Sequence, residues 1–296
     1  MPETKPMRLA AAQVTVHGDP RDAAALRDSG QQIRRLMRDA HQAGARLVHF
    51  PEGATTCPNK KVMSVNGPEQ AGPADWERVD WAVLRDELAA TVAFAGELRL
   101  WTVLGSVHRL TPPHRPHNSL YVISDRGNIA TRYDERMLSS TKVNYLYTPG
   151  SVPVIFDVDG VRLGCALGME ATFPEVFLEY ERLDVDGVLF STHGPGTPDN
   201  NGPFALQAQA HAASNSYWVS YAGTTQDAAS APSGVISPDG EWIARCPQDA
   251  TPSIAIADLD DSAENHARPW RRTARNGVYD PHLIPDDPRS RDRATL

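Results

Sequence analysis

The sequence predicts an α/β fold with mixed sheets, in one large domain. Three observations carry this reading. Short apolar runs alternate with longer stretches of helical periodicity, the pattern of strand–helix units. Asp125-Arg-Gly127 and Pro238-Asp-Gly240 each separate two strand-like runs, which adds hairpins and so antiparallel pairs. The chain has 296 residues, 41% hydrophobic and 22% charged, which suits a globular protein with a sizeable core.

The elements follow in order. Residues 7–14 read as a first strand. Asp19-Pro20 opens a helix over about 21–43, because Ile33, Leu36, Met37 and Ala40 fall on one helical face, and Gly44 ends it. Residues 46–50 form a second strand, followed by a polar loop over 53–72. A second helix is expected over 75–98, capped by Asp75, and a third strand over 100–107. Runs at 119–123 and 129–133 make the first hairpin, and 152–158 is a further strand. After a strand at 187–190 comes a glycine- and proline-rich loop over 193–203. A helix over 204–214, a strand over 217–222, a hairpin of 233–236 with 241–244 and a last strand at 254–257 complete the core. A charged tail from about 261 carries Trp270-Arg-Arg272.

Residues 161–175 organise this arrangement. Residues 161–167 are a short apolar run suited to a buried strand. Gly168 stands at the bend, and a helix starts near Glu175 with Pro174 tolerated in its first turn. Strand–turn–helix elbows project a nucleophile in many α/β enzymes. Here the bend offers glycine, which has no side chain.

Composition narrows the function. The formal charge is −8, from 29 Lys and Arg against 37 Asp and Glu, which gives no support for binding nucleic acids or anionic membranes. No apolar run reaches the length of a membrane span, and the first six residues lack a signal peptide's apolar core, so a cytosolic protein is expected. Cys57, Cys165 and Cys246 form no CxxC pair and no disulfide framework. Buried packing is the ordinary role of such thiols.

The ordered motifs then carry a resemblance. Ala11-Ala-Gln13, Phe50-Pro-Glu52, Leu104-Gly-Ser106, His117-Asn-Ser119, Thr148-Pro-Gly150, Phe173-Pro-Glu175 and Ser237-Pro-Asp-Gly240 resemble, in sequence order, the nitrilase or carbon–nitrogen hydrolase superfamily. The resemblance spans about residues 7–260. It implies a nitrilase-type four-layer α-β-β-α sandwich with mixed sheets, assembled as a homodimer or higher homo-oligomer. It also implies hydrolysis of amides or nitriles by a Glu base, a Lys that stabilises the oxyanion and a Cys thiolate.

Carried over by position, the Glu is Glu52, the Lys position is Glu135 and the Cys position is Gly168, with Glu170 two residues on. A further family Glu falls near Val143. The expectation is therefore a homologue that acts on a small amide-, nitrile- or amine-bearing metabolite by carboxylate acid/base chemistry, centred on Glu52, Glu135 and Glu170. Gly168, Met169, His193 and Cys57 line the expected substrate pocket. Crowded carboxylates push one pKa up, which suits proton transfer or the binding of a substrate ammonium. Two alternatives stand beside it: an inactive homologue that binds a ligand or partner, and a hydrolase with Cys57 as relocated nucleophile, activated by Lys60 and Lys61. Glu52, Glu135, Glu170 and His193 lack the local spacing of a metal site, so neither metal nor cofactor is expected.

Overall fold

The computed structural model describes residues 6–194, 202–260, 267–292 and 294. It divides into two compact units, Met1–Asp261 and Ser262–Leu296.

The first unit is built on two six-stranded sheets. One contains β1 (Met7–Gln13), β2 (Leu47–His49), β3 (Trp101–His108), β4 (His117–Ile123), β5 (Ile129–Asp134) and β12 (Ser253–Leu259), in the order β12-β1-β2-β3-β4-β5. The other contains β6 (Ile155–Val158), β7 (Val161–Leu167), β8 (Gly187–Ser191), β9 (Trp218–Ala222), β10 (Gly234–Ile236) and β11 (Trp242–Arg245), in the order β11-β10-β9-β8-β7-β6. Parallel pairs lie at the centre of each sheet, β1–β2–β3 and β7–β8–β9. The hairpins add antiparallel strands outside them, so both sheets are mixed.

Side-chain alternation along the strands builds the layers. Leu9, Leu47, Val103, Leu120 and Tyr133 from one sheet meet Leu163, Cys165, Leu167 and Leu189 from the other in a buried central core. The opposite face of the first sheet packs on α1 (Ala23–Gln42) and α2 (Trp81–Leu98), through Ile33, Leu36, Met37 and Ala95. The outer face of the second packs on α3 (Pro174–Arg182) and α4 (Gly202–Asn215), through Val176, Phe177, Ala208 and Ala212. This is the α-β-β-α sandwich that the motif order implied.

Two details differ from the sequence reading. Asp75 makes no capping bond. A 3-10 turn over Trp76–Arg78 intervenes, and Asp80 caps α2 by accepting from the Val83 amide at 3.1 Å. The other is a π-helical turn at Lys142–Leu146, where no element was expected. Such turns lack a sequence signature and recur at functional sites.

The second unit holds α5 (Ala267–Thr273) and α6 (Pro288–Arg291) with a π turn between them, and Trp270 lies edge-on to Tyr279.

Candidate active site

Glu52 lies in the turn that leaves β2. The turn is held against β3 because Gly105 has no side chain: a Cβ there would stand 2.0 Å from the Pro51 carbonyl oxygen. His49 ties the same place to the other sheet. Ser191 Oγ donates to the Phe50 carbonyl (2.9 Å) and therefore accepts from His49 Nε2 (2.6 Å). The bare His49 Nδ1 then accepts from Ser220 Oγ (2.9 Å). Burial pushes the His49 imidazole down to about 3, so it stays neutral in this strut.

Glu135 follows β5. Its amide donates to the Asn118 carbonyl (2.9 Å), and its own carbonyl accepts from the Gly150 amide (2.8 Å). Lys142 opens the π turn, which three contacts fix: Trp76 Nε1 to the Leu146 carbonyl (2.9 Å), Arg115 Nη2 to the Val143 carbonyl (2.7 Å) and the Ala74 amide to the Tyr145 carbonyl (3.0 Å).

These three side chains converge. Lys142 Nζ donates to Glu52 Oε1 in a short bond and to Glu135 Oε2 at 2.7 Å. The Asn118 amide joins the same two carboxyls, at 2.9 Å to Glu52 and 2.6 Å to Glu135. Glu52 Oε2 accepts the His193 amide at 3.1 Å. Glu52 and Glu135 are only 3% and 1% exposed, so neither is a residue solvated in an open cleft.

Burial opposes ionisation of both carboxyls, and the surroundings settle them differently. For Glu52, the charge and hydrogen bond of Lys142, with His193, outweigh burial and hold the carboxyl below its ordinary range. For Glu135, burial wins over Lys142, and the charges of Glu52 and Glu170 add to it, so the carboxyl is pushed up to about 8. Lys142 is raised: burial opposes its charge, but the charges of Glu135 and Glu52 prevail.

Gly168 faces the same cluster. Its φ is +51°, and a Cβ there would lie 2.9 Å from Glu135 Oε1, 2.9 Å from Lys142 Nζ and 3.1 Å from Glu52 Oε2. Lys142 thus reaches into room that a side chain at 168 would claim. Gly168→Ala is expected to destabilise the fold by about 1–3 kcal/mol, from backbone strain at positive φ alone. Chemical denaturation checks this, and an unchanged midpoint would mean that residue 168 leaves the left-handed region without cost.

Cys57 and His193 form a neighbouring pair. The His193 imidazole is pushed up to about 10, first by the charge of Cys57, against burial, with a hydrogen bond to Cys57 and the charges of Glu52 and Asp227 adding. Tyr147, buried at the end of the π turn, is raised by burial and then by Cys57, Glu52 and Glu135, which places it against the same cluster.

The comparisons agree with this architecture. Two proteins described as hydrolases, from Mycobacterium tuberculosis strains CDC 1551 / Oshkosh and ATCC 25618 / H37Rv, are each 26% identical over 275 residues, covering 86% of this chain and 89% of theirs. The sequence profile of the carbon-nitrogen hydrolase family matches residues 8–268. The chain belongs to this family. Among solved structures, a nitrilase-superfamily amidase from Nesterenkonia superposes with a TM-score of 0.68 at 18% identity, covering 94% of this chain and 99% of that one. The NitFhit protein of C. elegans superposes with a TM-score of 0.73 at 19% identity, over 95% of this chain and 67% of that one. At these identities the superpositions show the fold.

Within this member of the carbon-nitrogen hydrolase family the expected site residues separate. Glu52, Glu135 and Gly168 come together, with His193 and Cys57 beside them. Glu170 does not offer a free carboxylate. It accepts from the Tyr133 hydroxyl (2.7 Å) and from the amides of Leu167 (2.7 Å), Arg136 (2.7 Å) and Met137 (3.2 Å), so it fastens the elbow to the segment after β5. Met169 packs on the core between the second sheet and its helices. The space assigned to a substrate ammonium between Glu52 and Glu135 holds Lys142 Nζ. Lys60 and Lys61 are exposed, and the cation beside Cys57 is His193. Cys165 is fully buried between the sheets, where burial raises its thiol.

Sequence reasoning missed Lys142, Asn118 and Tyr147. In the sequence Asn118 stands out only as part of His117-Asn-Ser119. Lys142 had a readable signal, since it adjoins the place where the resemblance put a second carboxylate, while Glu135 stands where the resemblance put a lysine. Among the described residues, no cluster of three or more His, Cys, Asp or Glu is arranged to hold a metal ion. No helix of the described residues is long and apolar enough to cross a membrane.

Proposed function

We propose that this chain hydrolyses a C–N bond in a small amide-, nitrile- or amine-bearing metabolite without a thioester intermediate. Glu52 is the base, Glu135 the acid and Lys142 the cation that meets developing negative charge. The reading takes Gly168 as the family's nucleophile position, vacated, and takes positions 135 and 142 as having exchanged charge. One observation carries it: two buried carboxyls are bridged by one ammonium and one amide, and their surroundings shift them in opposite directions. That is the arrangement by which a pair of carboxyls divides base and acid work.

For an amide the steps balance simply. Glu52 takes a proton from water, and the hydroxide oxygen forms a bond to the carbonyl carbon. The carbonyl π pair moves to oxygen, where the Lys142 ammonium meets it by giving up its longer contact to Glu135, Oε1 at 3.0 Å. Glu135 gives its proton to the nitrogen, the C–N bond breaks, and the acid and amine leave. A proton passing from Glu52 to Glu135 resets the pair.

A second reading has its own observation, the Cys57–His193 pair. There the Cys57 sulfur attacks, with His193 as its proton partner, and water later cleaves the acyl-enzyme.

One experiment separates these readings from an inactive homologue. Ammonia release is measured from formamide, acetamide, propionamide and the corresponding nitriles, with the native chain and Cys57→Ala. Turnover equal in both, with no acyl adduct by intact mass, is the expected result. Turnover lost in Cys57→Ala, with an adduct on Cys57, establishes the second reading. No turnover in either chain leaves a ligand- or partner-binding homologue.

A further inference from the structure

A cavity whose lining shares no residue with the Glu52 cluster lies between α2 and the outer face of β3 and β4. Its volume is about 370 Å³, within the range of small-molecule sites, roughly 300–1,000 Å³. Trp81, Leu84 and Leu88 of α2 form one wall and Val107 the other.

Its polar groups are specific. Arg132 Nη1 lies 2.9 Å from His108 Nε2. A guanidinium only donates, so His108 Nε2 accepts and the ring proton sits on Nδ1. Burial, and then the charge of Arg132, lower the His108 pKa and keep the ring neutral. His108 Nδ1 therefore donates to the Tyr121 hydroxyl oxygen at 2.7 Å. That oxygen has accepted, so its own proton is unspent, and among the described residues no other hydrogen bond to this hydroxyl exists. Tyr121 lines the cavity and is 6% exposed. Burial raises its pKa to about 12, so the phenol remains a donor.

A cation stands at the same cavity. The Arg109 guanidinium lies over the Trp81 ring, 5.1 Å from its centroid. Stacking uses the face of the guanidinium and leaves its edge N–H groups to an anion. Among the described residues Arg109 makes no ion pair. Arg85, also at the cavity, is turned to Asp86 at 3.0 Å. The nearby carboxylate of Asp134 is held by Arg132 at 2.7 and 2.9 Å.

We propose that this cavity binds a small hydrophobic carboxylate. Its carboxylate accepts from the Tyr121 hydroxyl and the Arg109 guanidinium, and its hydrocarbon part lies against Trp81, Leu84, Leu88 and Val107. The site is separate from the Glu52 cluster and does not depend on the reaction proposed there.

Isothermal titration of the full chain with benzoate, and with benzamide as the neutral isostere, tests it. Saturable benzoate binding is expected, tenfold or more weaker for benzamide and for Tyr121→Phe and Arg109→Gln, and unchanged in Glu52→Gln. Arg109 is exposed, so its variant keeps the test decisive if Tyr121→Phe fails to fold. No saturable binding overturns the proposal, as does benzamide binding equal to benzoate. Loss of benzoate binding in Glu52→Gln but in neither cavity variant places the probe at the other site and overturns it equally.

Discussion

Lys142→Met is expected to destabilise the protein by about 3–5 kcal/mol at neutral pH, because it strands buried carboxyls that its ammonium now neutralises. Methionine keeps most of the stem and removes the charge. Glu52 and Glu135, 3% and 1% exposed, would then share only the Asn118 amide and, at Glu52, the His193 amide. Their folded-state pKa values would rise above the unfolded value. A carboxyl raised in this way binds more protons folded than unfolded, so stability falls as pH rises between the two values. The deficit of Lys142→Met should therefore shrink towards pH 5 and grow towards pH 8. Adding Glu135→Gln removes one stranded carboxyl and should return much of the loss at neutral pH. Urea midpoints at pH 5 and 8 for the native, single and double variants measure this. A deficit independent of pH, with no return from Glu135→Gln, would show that Lys142 acts by packing and not by charge.

Charge exchange makes a sharper form of the same test. Glu135→Lys alone sets two ammonium groups against Glu52, and Lys142→Glu alone sets three carboxylates together. Each should lose stability, whereas the double exchange keeps two carboxylates and one ammonium and should be close to native. The coupling between the two changes is the quantity to read, since contacting charges are far from additive.

The fold was legible because its signals are local and repeated. The continuous apolar run of β7 marks a strand buried on both faces, Pro174 marks the start of α3, and Gly127 and Gly240 mark hairpin turns at φ +73° and +85°. Glu52 was legible from the Phe-Pro-Glu pattern after β2. The site's charge balance was not, because it depends on a contact between Glu52 and a lysine 90 positions away. Position by position, Glu135 read as a carboxylate facing an oxyanion. In space it faces an ammonium supplied from the π turn. His49 shows the same limit: as sequence it is an ordinary strand residue, and as structure it joins β2 to β8 and β9 through two serines.

The largest effect on activity is expected from Glu52→Gln, a loss of about 10²–10⁴ in kcat/KM, the usual contribution of a positioned acid or base. All the groups around Glu52 donate to it: Lys142 Nζ, Asn118 Nδ2 and the His193 amide. A glutamine must turn its own NH2 towards one of them, so the substitution removes the base and misdirects a donor. The pH profile distinguishes the two carboxyls. Native activity requires Glu52 ionised and Glu135 protonated, so it should fall as pH rises through about 8, where Glu135 loses its proton. Glu135→Gln should remove this alkaline limb along with most of the rate. Stability carries the same sign. Glu135 is raised from 4.5 to about 8, so it favours the folded state fully at low pH, and that contribution is lost as pH rises across this interval. Glu52 is lowered, so its contribution is present above its unfolded value and is lost as pH falls through its folded one. A native profile flat above pH 8, or a Glu135→Gln profile that keeps the limb, would move the acid role away from Glu135 and towards another proton donor of the cluster, such as the His193 imidazole, raised to about 10.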